Sequence, residues 1–143
     1  MRPLSIVLAP PISVRFTADD RASLYFDGEF QDVANWPAYN ELYVTTTPHV
    51  IALEGTDYDG VGFGVMMWMS NGYVTDTSWK CINAQLISGD AWRLAGYDDS
   101  AWQDALMTGD STTADDYLGC TGAVSIWADC WSQCGTVSCR KEF

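Results

Sequence analysis

Short alternating runs of apolar and polar residues, each cut off by turn residues, constrain this chain more than any other feature. Ile12, Val14, Phe16 and Ala18 alternate with Ser13, Arg15 and Thr17, the period-two pattern of a strand with one buried face. Asp19-Asp20 interrupts the run. Ala22, Leu24 and Phe26 then alternate with Ser23, Tyr25 and Asp27 as far as Asp27-Gly28, a hairpin-turn dipeptide. A loop with Asn35, Trp36 and Pro37 follows, and Leu42 and Val44 mark a further strand that Thr47-Pro48 ends. The stretch HVIALEG (49–55) is apolar on both faces, as a central buried strand is, and the apolar run resumes at 63–69. Residues 75–113 read as loop and single-turn structure. Two last strands, at 124–129 and 136–142, flank a cysteine-bounded turn and are expected to pair as a hairpin. No repeat is visible, nor any helix longer than about two turns. These elements predict one all-β domain over 12–143, an antiparallel β-sandwich, preceded at 1–11 by an N-terminal extension, a signal or linker remnant.

Composition narrows the function classes. A chain of 143 residues with 48% hydrophobic and 13% aromatic content builds one proper core and is no disordered tail. Its net charge of −12 argues against nucleic acid and anionic membrane surfaces, which recruit Lys and Arg. No apolar run approaches the roughly 20 residues of a bilayer span, so membrane insertion is not expected. Four of the five cysteines lie between Cys120 and Cys139, without the paired C-x2-C spacings of a zinc ribbon, and His49 is the single histidine. Disulfides in an oxidising, extracellular compartment are therefore expected, and with them a secreted protein.

Two adjacent-carboxylate pairs stand out. Asp98-Asp99, ahead of SAWQDAL, has the chemistry of a helix N-cap, a short acceptor bonding the first-turn N–H groups, and reads as a turn-former ahead of a ligand site. Asp19-Asp20 reads first as a turn toward Arg21. TDYDG (56–60) is a further acidic loop without the full spacing of an EF-hand. His49 has no nucleophile motif near it, and a structural role is expected. Nineteen carboxylates leave a glycosidase pair open by counting alone, but nothing in the pattern asks for an enzyme, and none is expected.

Five motifs in one order, TDTSWK (75–80), AW (91–92), YDDSAW (97–102), SIW (125–127) and CRKEF (139–143), make the chain resemble the galactose-binding-domain-like jelly rolls. These are accessory carbohydrate-binding modules of α-rhamnosidases and β-galactosidases and related extracellular lectin-like modules. VRFTADDRASLYFDGE (14–29) is similar to their strand–acidic turn–strand opening, and HVIALEG to their central strand. The resemblance implies a jelly-roll sandwich in which Trp79, Trp92, Trp102 and Trp127 are core. It also brings the Cys81 and Cys139 segments together, which implies a Cys81–Cys139 disulfide. FTADD (16–20) resembles the opening of yeast flocculin-type lectin domains, where adjacent aspartates hold a Ca²⁺ that grips sugar hydroxyls. Carried over, that places a Ca²⁺ on Asp19 and Asp20, whose hard oxygens suit the ion.

Within such a module Trp36, beside Asn35 and Tyr39 in the loop NWPAY, is the candidate sugar platform: an aromatic plane stacks on C–H faces while amides and carboxylates take hydroxyls. Trp68, in a continuous apolar run, is expected to be buried, and Trp131, inside the Cys130–Cys134 turn, exposed. Cys130 and Cys134 face each other across the end of the expected hairpin, within bonding reach. Cys120 is left as a free thiol or an intermolecular link, since ten extended residues span about 33 Å and keep it from Cys130. The expectation is a secreted, non-catalytic carbohydrate-binding module, Ca²⁺-assisted, with glycans or glycoproteins as partners. The rival is a structural module of an extracellular matrix or fibre that self-associates through exposed aromatics and the spare cysteine.

Overall fold

The computed structural model describes residues 10–60, 62–108 and 122–143. Eleven strands are present among the described residues: β1 Ile12–Asp19, β2 Arg21–Phe26, β3 Glu29–Asn35, β4 Asn40–Val44, β5 Val50–Thr56, β6 Gly64–Met69, β7 Lys80–Asn83, β8 Gln103–Asp104, β9 Leu106–Met107, β10 Ile126–Trp127 and β11 Thr136–Glu142. They form two antiparallel sheets, ordered β4-β1-β6-β10-β9 and β3-β2-β5-β11-β7-β8. The inward side chains of both sheets meet in one core: Val14, Phe16 and Met67 from the first sheet oppose Leu24, Leu53 and Val137 from the second. The chain is thus an antiparallel β-sandwich. Among the described residues no helix is long and apolar enough to cross a membrane.

The expected tryptophan core is borne out: Trp79, Trp92, Trp102 and Trp127 are all buried. Trp127 lies so close to β5 that a Cβ on Gly55 would stand 2.8 Å from its ring. The two expected disulfides are present, Cys81–Cys139 and Cys130–Cys134. The first ties β7 to β11, where the two cysteines are register partners. It closes a separation of 58 residues, for which the chain-entropy account gives roughly 4 kcal/mol.

The expected hairpin between 124–129 and 136–142 does not form. β10 pairs with β6 and β9 in one sheet, whereas β11 lies between β5 and β7 in the other. The Cys130–Cys134 bridge therefore closes a crossing between sheets, not a hairpin end, and β10 is only two residues long. Cys120 lies outside the described residues. A strand also occupies 29–35, where no alternation announced one: β3 is a sheet edge, only Ala34 of it is buried, and Phe30 is 59% exposed. Trp68 is half-buried, because it points away from the core and lies 5.8 Å from the Arg15 guanidinium.

The segment 84–102 straps the outer face of the second sheet. Trp92 and Trp102 pack there on Ala52. Arg140, on the outward face of β11 and wholly buried, donates to the carbonyls of Trp92 at 2.8 Å and Leu94 at 3.0 Å and is ion-paired with Asp99. No helix follows Asp98-Asp99; Asp98 instead accepts from Ser100 N at 3.0 Å in a turn. The N-cap expectation is corrected accordingly, because Arg140 and the sheet surface hold the segment where a helix would have lifted away.

Candidate functional site

Strand register gathers several sequence-distant loops at one end of the sandwich. The chain leaves the first sheet at Asp19, which pairs with Gly64, and enters the second at Arg21, which pairs with both Thr56 and Asn35. Asp20 is the crossing point. Its N–H donates to Thr56 O at 2.9 Å, and its own carbonyl accepts from Trp36 N at 2.7 Å. Whatever follows β5 and β3 must therefore flank Asp20: Asp57 to Asp59 on one side, Trp36 on the other. β11 begins at the same end, since Thr136 pairs with Thr56 and Asp57 N donates to Gly135 O at 2.8 Å.

The carboxylates of Asp20, Asp57 and Asp59 converge, each offering an oxygen within 4.8 Å of the others. Backbone amides orient them. Tyr58 N donates to Asp20 Oδ2 at 2.8 Å, while Asp59 N and Gly60 N donate to Asp57 Oδ1 at 3.3 and 3.1 Å. Asp57 is buried. That burial pushes its carboxyl above the usual range, against the lowering effect of the two backbone N–H groups, and the nearby charge of Asp20 pushes it the same way. Three converging carboxylate oxygens are hard donors that could hold a divalent cation.

Of the predicted metal pair, Asp20 joins this cluster, in the company of Asp57 and Asp59 from the TDYDG loop. Asp19 instead lines a narrow hollow of about 10 Å³ with Trp36, Phe63 and Ser125. Two glycines permit this: a Cβ on Gly62, whose φ is +97°, would stand 2.7 Å from Asp19 Oδ2, and one on Gly64 would overlap Ser125 Oγ. The hollow holds no more than a water-sized body, so anything larger would have to lie across its rim. Trp36 forms that rim and is 41% exposed. Thr17 Oγ1 donates to Ala38 O at 2.9 Å and pins the loop behind it.

The other two predicted sugar-loop residues divide. Asn35 ends β3, exposed, and its carbonyl accepts from Ala38 N at 3.0 Å. Tyr39 turns to the outer face of the first sheet, 5.9 Å from the Arg15 guanidinium. His49 is exposed at the far end, where Asp27 Oδ1 accepts from His49 N and Val50 N. A wider, mostly polar hollow of about 560 Å³ opens at that end between Phe26, Glu29, Tyr43 and Thr46, without a converging acidic cluster among the described residues. The participation of Asp57 and Asp59 was only half legible: TDYDG drew notice as an acidic loop, but its meeting with Asp20 depends on the pairing of β2 with β5. No family model matches the chain, and neither curated proteins nor solved structures yield a match.

Proposed function

We propose that the chain is a secreted carbohydrate-binding module, acting without catalysis, whose ligand meets the Asp20/Asp57/Asp59 end. One observation carries the reading: Trp36, whose side chain is exposed, is held by its backbone N–H to the carbonyl of Asp20, the residue whose carboxylate joins those of Asp57 and Asp59. An aromatic plane and a cluster of hydroxyl-binding oxygens side by side are the two elements that sugar recognition needs. Asp20, Asp57 and Asp59 are the residues to hold Ca²⁺. When bound, the ion supplies coordination to vicinal hydroxyls and neutralises the crowded carboxylates. The chain's own part is to fix those carboxylates by backbone N–H donation and to set Trp36 beside them. The resemblance to galactose-binding-domain-like and flocculin-type lectin modules points the same way, and the two disulfides suit an oxidising compartment.

The test is a glycan array probed with and without Ca²⁺, using the wild-type chain and Trp36→Ala. Wild type should retain glycans in Ca²⁺ and release them in EDTA, and Trp36→Ala should bind about 1–3 kcal/mol more weakly with its melting transition intact. Concentration-dependent assembly in place of glycan retention would transfer the assignment to the matrix-module rival.

A further inference from the structure

We propose that the same end carries a second stacking position, Trp131, and that the ligand is an uncharged oligosaccharide running from Trp36 across Phe63 to Trp131. The inference rests on the carbohydrate reading and specifies its substrate class.

Phe63 is the link. It lines the hollow beside Trp36, and its ring centroid lies 5.7 Å from those of both Trp127 and Trp131. Trp127 is wholly buried, so Phe63 rests on the core, while Trp131 beyond it is 41% exposed, as Trp36 is. The loop bearing Trp131 also leads directly into Gly135, whose carbonyl accepts from Asp57 N. Aromatic rings therefore continue from the hollow beside Trp36 through Phe63 to Trp131.

The backbone at Trp131 is held in place to present the ring. Its φ of +47° lies in the left-handed region, which bulky residues rarely adopt. Glycine or asparagine satisfies such a turn without strain, yet the chain places its largest side chain there. Three constraints impose the conformation: the flanking Cys130–Cys134 bridge, donation from buried Trp127 Nε1 to the Trp131 carbonyl at 3.0 Å, and donation from Cys134 N to that carbonyl at 3.4 Å. Strained residues held by their surroundings cluster at ligand clamps. The carboxylates at this end, Asp129 beside the loop among them, and the net charge of −12 disfavour sulfated or sialylated chains. A neutral chain fits, because each sugar unit offers an apolar C–H face to a ring.

The experiment uses matched mono-, di- and tetrasaccharides of glucose (β1,4), mannose (α1,2) and galactose (β1,4) in Ca²⁺ buffer. It compares the wild-type chain with Trp36→Ala, Trp131→Asn and Trp131→Tyr, each checked by thermal melting. Asparagine keeps the left-handed turn and removes the ring. Wild type should bind one tetrasaccharide at least about tenfold more tightly than its monosaccharide, each further stacked ring adding on the order of 1 kcal/mol or more. Trp131→Asn should erase that gain while leaving the monosaccharide affinity unchanged, Trp131→Tyr should keep most of it, and Trp36→Ala should weaken both. In the wild-type protein the Trp131 indole N–H resonance should shift with the tetrasaccharide and stay fixed with the monosaccharide. A tetrasaccharide gain that survives Trp131→Asn, an equal fall for both ligands, or an unmoved resonance overturns the second position and leaves the carbohydrate reading standing. Failure of wild type to bind any member of the three series overturns that reading and the extension together.

Discussion

Two of the chain's three Asp-Asp pairs lie among the described residues, and they do opposite things. Asp98-Asp99 lies on the strap over the second sheet, where Asp99 meets the buried guanidinium of Arg140 and Asp98 bonds the turn backbone. Asp19-Asp20 lies where the chain crosses between sheets, and Asp20 is set among further carboxylates, Asp57 and Asp59. The first pair is bonded within the fold, to Arg140 and to the turn backbone. The second brings Asp20 close to Asp57, where its like charge adds to the rise of the Asp57 carboxyl. The dipeptide itself does not decide between structure and recognition; the charge that the tertiary fold brings to it does.

That contrast is open to direct attack. The largest expected effect is at Asp99: Asp99→Ala strips the buried Arg140 of its nearer carboxylate, leaving Glu142 at 3.7 Å, and should cost up to about 3 kcal/mol in urea unfolding, the low end for a broken buried pair, because the Asp99 side chain stays 27% exposed. Next is the cation itself. Ca²⁺ at about 100 times its Kd should stabilise the wild-type chain by roughly 2.7 kcal/mol through linkage. Asp20→Asn/Asp57→Asn should abolish that increment and Asp99→Ala should keep it. A melting temperature indifferent to Ca²⁺ and EDTA removes the recognition half of the comparison.

A smaller effect separates the pairs by pH. Asp57 has its carboxyl raised by burial in the folded state, so between its ordinary and raised values the native chain binds more protons than the unfolded one. Stability from this group is then present at low pH and falls as pH rises through that window. Asp57→Asn keeps an acceptor for the Asp59 and Gly60 amides and removes the charge. In EDTA near neutral pH it should therefore melt above wild type, with the advantage shrinking on acidification; in Ca²⁺ the order should reverse. Asp98 behaves in the other sense. Hydrogen bonds from Ser100 lower its carboxyl, giving stability that is present above the ordinary carboxylate range and lost as pH falls through the lowered value. Exposed as it is, Asp98→Asn should shift the melting temperature least of all four sites, which a pH series of thermal melts would measure.

Much of the sandwich was written into local patterns. β1 and β2 follow from period-two alternation, β5 from its two-sided apolar run, and the tryptophans of TDTSWK and SIW are core as the resemblance implied, while Trp102 of YDDSAW is buried on the outer face of the second sheet. Edge strand β3 escaped because an edge buries so little that its side chains need not alternate. The hairpin expected at the C-terminal end failed for a different reason. Adjacent strands usually pair, but a sandwich also joins strands of opposite sheets, and sequence proximity does not distinguish the two connections. The Cys130–Cys134 bridge was nonetheless foreseen, since its spacing keeps the two cysteines close in either geometry.

By itself, the sequence determined the all-β character, the aromatic core, the acidic charge and the exposure of Trp131, because each depends on side-chain type and near neighbours. Only the tertiary structure decided which carboxylates meet. Asp20 and Asp57 lie far apart in sequence and come together through the register of β2 on β5, just as Asp99 and Arg140 come together through a strap folded over β11. Coulomb energy depends on separation in space and on local exclusion of water, and neither quantity exists until the sheets are paired.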